Sequence, residues 1–74
     1  ISGTVDLSPL RTMFGLTPAE IAFCRRLLLG ESLTEAADQL GIATQTGRDR
    51  VKSIFLKTGT SRQGQLLLLL SRLL

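Results

Sequence analysis

Two helix-start signals, each followed downstream by a glycine, constrain this 74-residue sequence more than any other feature. Residues 17–20 (TPAE) and 32–35 (SLTE) have the spacing of a capping box, in which a hydroxyl and a glutamate three residues later accept hydrogen bonds from each other's backbone amides. Gly30 and Gly41 stand where a helix ends in a left-handed residue. The pattern predicts one helix from residue 17 to about residue 29, and a second of about two turns that Gly41 ends.

The apolar pattern predicts two further helices. The third runs from Thr44 or Gln45 to Thr58, with Gly59 behind it. Its inward stripe is Gly47, Val51, Ile54, Phe55 and Thr58. Its opposite face holds Gln45, Asp49, Lys52, Ser53 and Leu56. The fourth helix begins near residue 61 and carries leucines on every side, so some of them must stay exposed or contact a second chain.

The predicted fold class is all-α, with four helices and a short N-terminal helical turn in addition. We divide the chain into a first segment, residues 1–13, and a helix-turn-helix domain, residues 14–74. The first segment is interpreted as a linker or a vector-derived remnant, in which Ser8 and Pro9 open one helical turn through Met13. Because the chain starts with Ile1, we expect it to be part of a longer protein.

The residue inventory argues against an enzyme. The chain has no His and a single cysteine, Cys24, which excludes a histidine base, a zinc cluster and a disulfide framework. We therefore expect no catalysis, no metal and no cofactor, and we interpret Cys24 as a small core residue. The longest apolar run, Leu66–Leu70, is far too short to span a membrane, and an unpaired cysteine suits a reducing compartment. The predicted location is the cytoplasm.

The charge is unevenly distributed along the chain. Residues 1–41 carry three arginines and five acids, a net charge of −2, whereas residues 42–74 carry six basic residues and one acid, a net charge of +5. With a pI of about 10.0, this distribution indicates a polyanionic partner. An ordinary solvated basic face explains the charge equally well when the charge is considered alone.

A short turn joins the second and third predicted helices, an arrangement typical of a DNA-binding helix-turn-helix. The major groove of B-DNA admits one α-helix, and basic and acidic side chains match the edges of guanine and cytosine. The predicted base-facing residues are Arg48, Asp49 and Lys52. Those predicted to meet the phosphate backbone are Thr44, Gln45, Thr46, Arg50 and Lys57. For Asp49, a pairing with Gln45 or Lys52 on its own helix is an equally good interpretation.

Several short pieces of the sequence, taken in order, resemble a known family. They are LTPAE at 16–20, Gly30, Ser32, EAADQLGI at 35–42, Thr46, Ile54, KTGTSRQ at 57–63 and Leu66. Over about 55 residues and without gaps, this pattern is similar to a LuxR-type (NarL/FixJ/GerE) helix-turn-helix domain.

The resemblance implies a four-helix domain at the C-terminus of a bacterial transcription regulator, following an N-terminal sensor or receiver domain. In such a domain the third helix is the recognition helix, and the protein binds double-stranded DNA as a homodimer. The resemblance also implies that the last helix forms the dimer interface. Its residues here would be Leu66, Leu67, Leu69, Leu70 and Leu73.

The sequence departs from the family pattern at several positions of the recognition helix. Gly47 stands where Val or Ala is usual, and Arg50 stands where many members have His. Ala43 replaces the usual Ser cap, so we expect Thr44 to cap the helix one residue later. The alternative function, from another class, is a helical protein-interaction or dimerisation module that works through the leucine-rich last helix.

Overall fold

The computed structural model describes residues 9–73, which form five helices joined by short loops. They are α1 (Pro9–Phe14), α2 (Pro18–Leu28), α3 (Leu33–Gln39), α4 (Thr44–Thr58) and α5 (Gln63–Arg72). The all-α prediction is confirmed, and α1 is the short N-terminal helix that the sequence predicted in addition to the four others. Residues 1–8 of the predicted linker, with Ser8 as the start of its turn, and the terminal Leu74 lie outside the described residues.

Both predicted capping boxes form. Thr17 Oγ1 accepts a hydrogen bond from the Glu20 amide at 3.2 Å, and Glu20 Oε1 accepts one from the Thr17 amide at 2.8 Å. Ser32 and Glu35 repeat the arrangement at 3.1 and 2.8 Å. Because the capping residues satisfy amides that have no partner within the helix, they fix where α2 and α3 begin.

The turn after α3 is set by Gly41, whose φ is +70°. In this conformation the Ile42 amide donates to the Ala37 carbonyl at 3.0 Å, and the Gly41 amide donates to the Asp38 carbonyl at 3.1 Å. This pair of bonds is a Schellman motif, which satisfies the last carbonyls of the helix. The left-handed residue reverses the chain direction, so that α4 begins at Thr44 after a short connection.

One apolar core joins all five helices. Its buried members are Leu10, Leu16, Ile21, Phe23, Cys24, Leu27, Ala36, Ala37, Val51, Ile54, Leu66 and Leu70. Cys24 is fully buried as predicted, and burial raises the pKa of its thiol to about 11. Leu10 is 1% exposed, so α1 packs into the core. The sequence had given Leu10 no core role.

The predicted inward stripe of α4 is confirmed, and Gly47 brings α3 and α4 close together. A Cβ atom at Gly47 would lie 3.1 Å from Ala37 Cβ and 3.4 Å from Phe23 Cε2. Because these distances leave almost no space for a side chain, Gly47 allows the close crossing of the two helices.

Within residues 9–73, every helix falls short of the length and apolarity that crossing a lipid bilayer requires.

Candidate functional site

The candidate site is the surface of α4 that faces away from the core. Helix α3 packs against α4, and a short segment, residues 40–43, joins the two helices. Ala43 is the N-cap of α4 and makes no side-chain capping bond, so the expectation that Thr44 caps the helix is wrong. Without a side-chain cap, amides of the first turn remain available to an anion at the positive end of the helix dipole.

A continuous exposed face runs along α4. Successive residues of a helix are turned by about 100°, so residues at spacings of three, four and seven share one side. The exposed face consists of Gln45, Arg48, Asp49, Lys52 and Leu56, all classed as exposed. At the C-terminal end of this face Leu56 is 85% exposed, the highest value among the exposed large apolar side chains in the described part of the chain. The apolar periodicity of α4 also predicts Leu56 on this face but indicates no role for it.

The three predicted base-facing residues lie together on this exposed face, but their surroundings differ. Asp49 Oδ1 accepts a hydrogen bond from Gln45 Nε2 at 3.2 Å, which confirms the intrahelical pairing that was the alternative interpretation of Asp49. Arg48 and Lys52 form no ion pair with any residue between 9 and 73. Arg48 and Lys52 therefore present cationic hydrogen-bond donors to solvent on this face.

The residues predicted to meet phosphates do not form one group. Thr46 and Gln45 are exposed in the first turn of α4, close to its positive end, whereas Thr44 is half-buried. Arg50 is also half-buried and lines a concavity formed with α2 and the α3–α4 turn. Arg50 therefore lies on the flank of α4 that faces α2 and away from the exposed face.

Lys57 is engaged within the protein. Its Nζ atom donates to Glu20 Oε1 at 2.7 Å and to the Gly15 carbonyl at 3.4 Å. Ser53, which the sequence analysis placed on the opposite, outer face of α4, is half-buried and donates to Glu20 Oε2 at 2.6 Å. The placement of Ser53 on the outer face is wrong, because Ser53 and Lys57 both lie on the flank of α4 that contacts the start of α2.

Glu20 is the centre of this cluster and is only 4% exposed. Burial by itself raises the pKa of the carboxyl, but the hydrogen bonds from Lys57, Ser53 and the Thr17 amide, with the charge of Lys57, outweigh burial and lower the pKa from 4.5 to about 2. The carboxylate is therefore ionised over the whole ordinary pH range. The capping role of Glu20 is visible in the sequence, but nothing in a linear pattern pairs Glu20 with residues as far along the chain as Ser53 and Lys57.

The predicted dimer-interface leucines of α5 separate into two sets. Leu66 and Leu70 are fully buried in the core of the chain itself. Leu67, Leu69 and Leu73 are half-buried, and Leu68, which was not among the predicted interface residues, is 55% exposed. A surface of α5 that contacts another chain therefore has to use the second set, since the first set already packs inside this one.

Comparison of this chain with known protein families, with curated proteins and with solved structures gives no match. The features that bear on function are therefore the exposed face of α4, its charge and its surroundings.

Proposed function

We propose that this chain is a sequence-specific DNA-binding domain of the LuxR type, with α4 as its recognition helix. The observation that carries the proposal is the exposed face of α4, where Arg48 and Lys52 stand unpaired among the described residues, directly after a short turn from α3. A helix that presents polar and cationic side chains along one face, and is supported from behind by a second helix, has the form that enters the major groove.

The chemistry of the face assigns a role to each residue. Arg48 and Lys52 donate to the O6 and N7 atoms of guanine, and Asp49 accepts from the amino group of cytosine. Exposed and apolar, Leu56 contacts a thymine methyl group or a sugar. Because Gln45 already bonds Asp49 at 3.2 Å, the two side chains act together, with the amide orienting the carboxylate.

Phosphate contacts come from the first turn of α4 in this proposal. Thr44, Gln45 and Thr46 lie there beside the uncapped amides. Lys57 contributes by holding α4 against α2 through Glu20, and its side chain is about one-third exposed, so its charge still acts on a nearby phosphate. Arg50 contributes least, because it lies on the flank that faces α2.

The remaining expectations belong to the same proposal. The domain acts as a homodimer on a two-fold operator, with each α4 in one major groove and the half-sites about one helical turn apart. It works in the bacterial cytoplasm without catalytic activity or cofactor, as the C-terminal part of a regulator whose N-terminal domain receives the signal.

The proposal is tested with the duplexes that the chain selects from a pool of random sequences about three helical turns long, over a series of salt concentrations. We expect the affinity for DNA to fall steeply as the salt concentration rises, because each neutralised phosphate contributes about 0.9 to the steepness of log K against log salt.

Arg48→Ala and Lys52→Ala should each weaken DNA binding about tenfold. Arg72→Ala, which removes the same charge from an exposed position on α5, is the matched control and should change little. Salt-independent binding, or equal losses from all three variants, contradicts the proposal.

A second candidate function is a protein-interaction module that works through α5. The exposure of Leu68, with the half-buried Leu67 and Leu69 beside it, favours this candidate. Polar substitution of Leu67 and Leu69 distinguishes the two functions in a cellular assay. If that change abolishes activity while Arg48→Ala and Lys52→Ala leave it intact, the protein works through α5 and does not read DNA.

A further inference from the structure

A groove with an apolar floor and arginines along its rim runs over the outer side of α2. It consists of two adjoining concavities of about 380 and 240 Å³, which share Ala22 and Leu40. The floor is formed by Ile21 and Ala22 of α2 with Leu40 and Ile42 of the α3–α4 turn. The groove is separate from the exposed face of α4, and of its lining residues only Arg50 has a part, the smallest, in the function proposed above.

Four arginines from three helices line the groove. They are Arg11 of α1, Arg25 and Arg26 of α2, and Arg50 of α4. Of these, Arg26 forms an ion pair, with its Nη1 atom 3.1 Å from Glu31 Oε2. Arg11 and Arg25 are exposed and form no ion pair with residues 9–73. No carboxylate lines either concavity, so the groove carries excess positive charge.

The smaller concavity, of about 240 Å³, also holds an unsatisfied donor. Arg50 Nε is buried and has no hydrogen-bond partner within the described residues. A buried N–H group without an acceptor costs about 1–3 kcal/mol, more when the group is charged. A ligand carboxylate in this concavity would pair with the Arg50 guanidinium.

We propose that this groove docks an acidic helical segment of a partner protein, one that carries aliphatic residues on the same face as its carboxylates. The carboxylates would pair with Arg11, Arg25 and Arg50, and the aliphatic side chains would cover the floor at Ala22 and Leu40. A nucleic acid strand matches the cations but leaves the apolar floor without a partner. Anchoring residues at helical spacing in an apolar groove are a common form of peptide recognition.

The probe for the test is a fluorescein-labelled synthetic helical peptide in which leucine and glutamate alternate at spacings of three and four residues, so that both lie on one face, with alanine and glutamine elsewhere. Its binding to the full chain is measured by fluorescence anisotropy. A second peptide, with serine in place of each leucine, keeps the charge and removes the apolar side chains. We expect the leucine peptide to bind at least about tenfold more tightly than the serine peptide, because the floor contributes apolar burial. Equal affinities of the two peptides overturn the proposal.

Two pairs of substitutions with the same change in net charge separate the groove from general electrostatics. Arg11→Glu with Arg25→Glu should weaken binding of the leucine peptide at least about tenfold. Arg62→Glu with Arg72→Glu, at exposed positions on or beside α5, should weaken it less than about twofold. Equal losses from the two pairs overturn the proposal. So does a loss of duplex DNA affinity in the groove pair that is as large as its loss of peptide affinity.

A third variant keeps the test decisive if reversing two charges disturbs the fold. Ala22→Gln adds an uncharged side chain to the half-buried floor of the groove, at a helical position that glutamine tolerates. Its circular dichroism should match that of the unsubstituted chain. We expect a loss of leucine-peptide affinity of at least about tenfold, because the added side chain occupies the space of the ligand. Unchanged affinity in this variant overturns the proposal.

Discussion

Lys57 Nζ lies 2.7 Å from Glu20 Oε1, and this ion pair joins the last turn of α4 to the first turn of α2. The same carboxylate accepts from Ser53 Oγ at 2.6 Å and from the Thr17 amide at 2.8 Å. One buried side chain therefore caps α2 and fixes the rotation of α4 about its own axis. That rotation determines which residues of α4 face outward.

The first prediction concerns the two capping-box glutamates, which differ in burial. We expect Glu20→Gln to lower the free energy of unfolding by about 2–3 kcal/mol, because it keeps the capping geometry but leaves Lys57 without its charged partner. Glu35→Gln is the matched control, since Glu35 caps α3 and is exposed. Glu35→Gln should lower the free energy of unfolding by less than about 1 kcal/mol. Urea unfolding followed by circular dichroism measures both, and equal costs would show that Glu20 acts only as a cap.

The second prediction is the pH dependence of the Glu20 contribution. The pKa of this carboxyl is lowered from 4.5 to about 2 in the folded chain, so the folded state favours the ionised form. Its stabilising contribution is fully present above about pH 5 and is lost as the pH falls toward about 2. The difference in stability between the unsubstituted chain and Glu20→Gln should therefore be constant from about pH 7 to about pH 5 and shrink below that. A constant difference down to about pH 2 would contradict this prediction.

The third prediction is that Gly47 is required by packing even though it weakens α4. Alanine at this position would gain about 1 kcal/mol of helix propensity. Its Cβ atom, however, would lie 3.1 Å from Ala37 Cβ, an atom fixed to the backbone of α3. We expect Gly47→Ala to destabilise the fold by about 1 kcal/mol on balance, because overpacking costs more than the propensity gained.

Gly64 provides the control for Gly47. It also lies in a helix, but a Cβ atom there would meet nothing within 4 Å. Gly64→Ala should therefore stabilise the fold by up to about 1 kcal/mol. Thermal unfolding of the two variants side by side gives the comparison. If both substitutions stabilise the fold equally, α3 and α4 are not held at close distance by Gly47.

The fourth prediction separates the two sets of leucines on α5. Leu66→Ala should destabilise the monomer by about 2–5 kcal/mol, because it removes buried methyl groups from the core. Leu68→Ser should change monomer stability by less than about 1 kcal/mol, since its side chain is more than half exposed. If α5 forms a dimer interface, Leu68→Ser should also weaken self-association in sedimentation experiments over a range of concentrations. Unchanged association would place the dimer contact elsewhere.

Local signals predicted most of the helices because the determinants of a helix end lie within a few residues. The capping boxes at Thr17 and Ser32 and the left-handed glycine at position 41 all form as their spacing predicts. The predicted capping of α4 by Thr44 is wrong. Thr44 is already the first residue of the helix and Ala43 is its N-cap, so the Thr44 hydroxyl does not stand at the capping position. The inward stripe of α4 was also predictable, since apolar periodicity reports the direction of the core.

The sequence by itself determined the helices, the turn between α3 and α4, and the side of α4 that packs inward, because each depends on neighbours along the chain. Only the tertiary structure decided how individual polar side chains are used. Ser53 and Lys57 turn toward Glu20, and Arg50 toward the groove beside α2, because those partners come close only after the helices pack. The same packing divides the α5 leucines into core and surface, since which side of a leucine-covered helix is buried depends on where its neighbours lie.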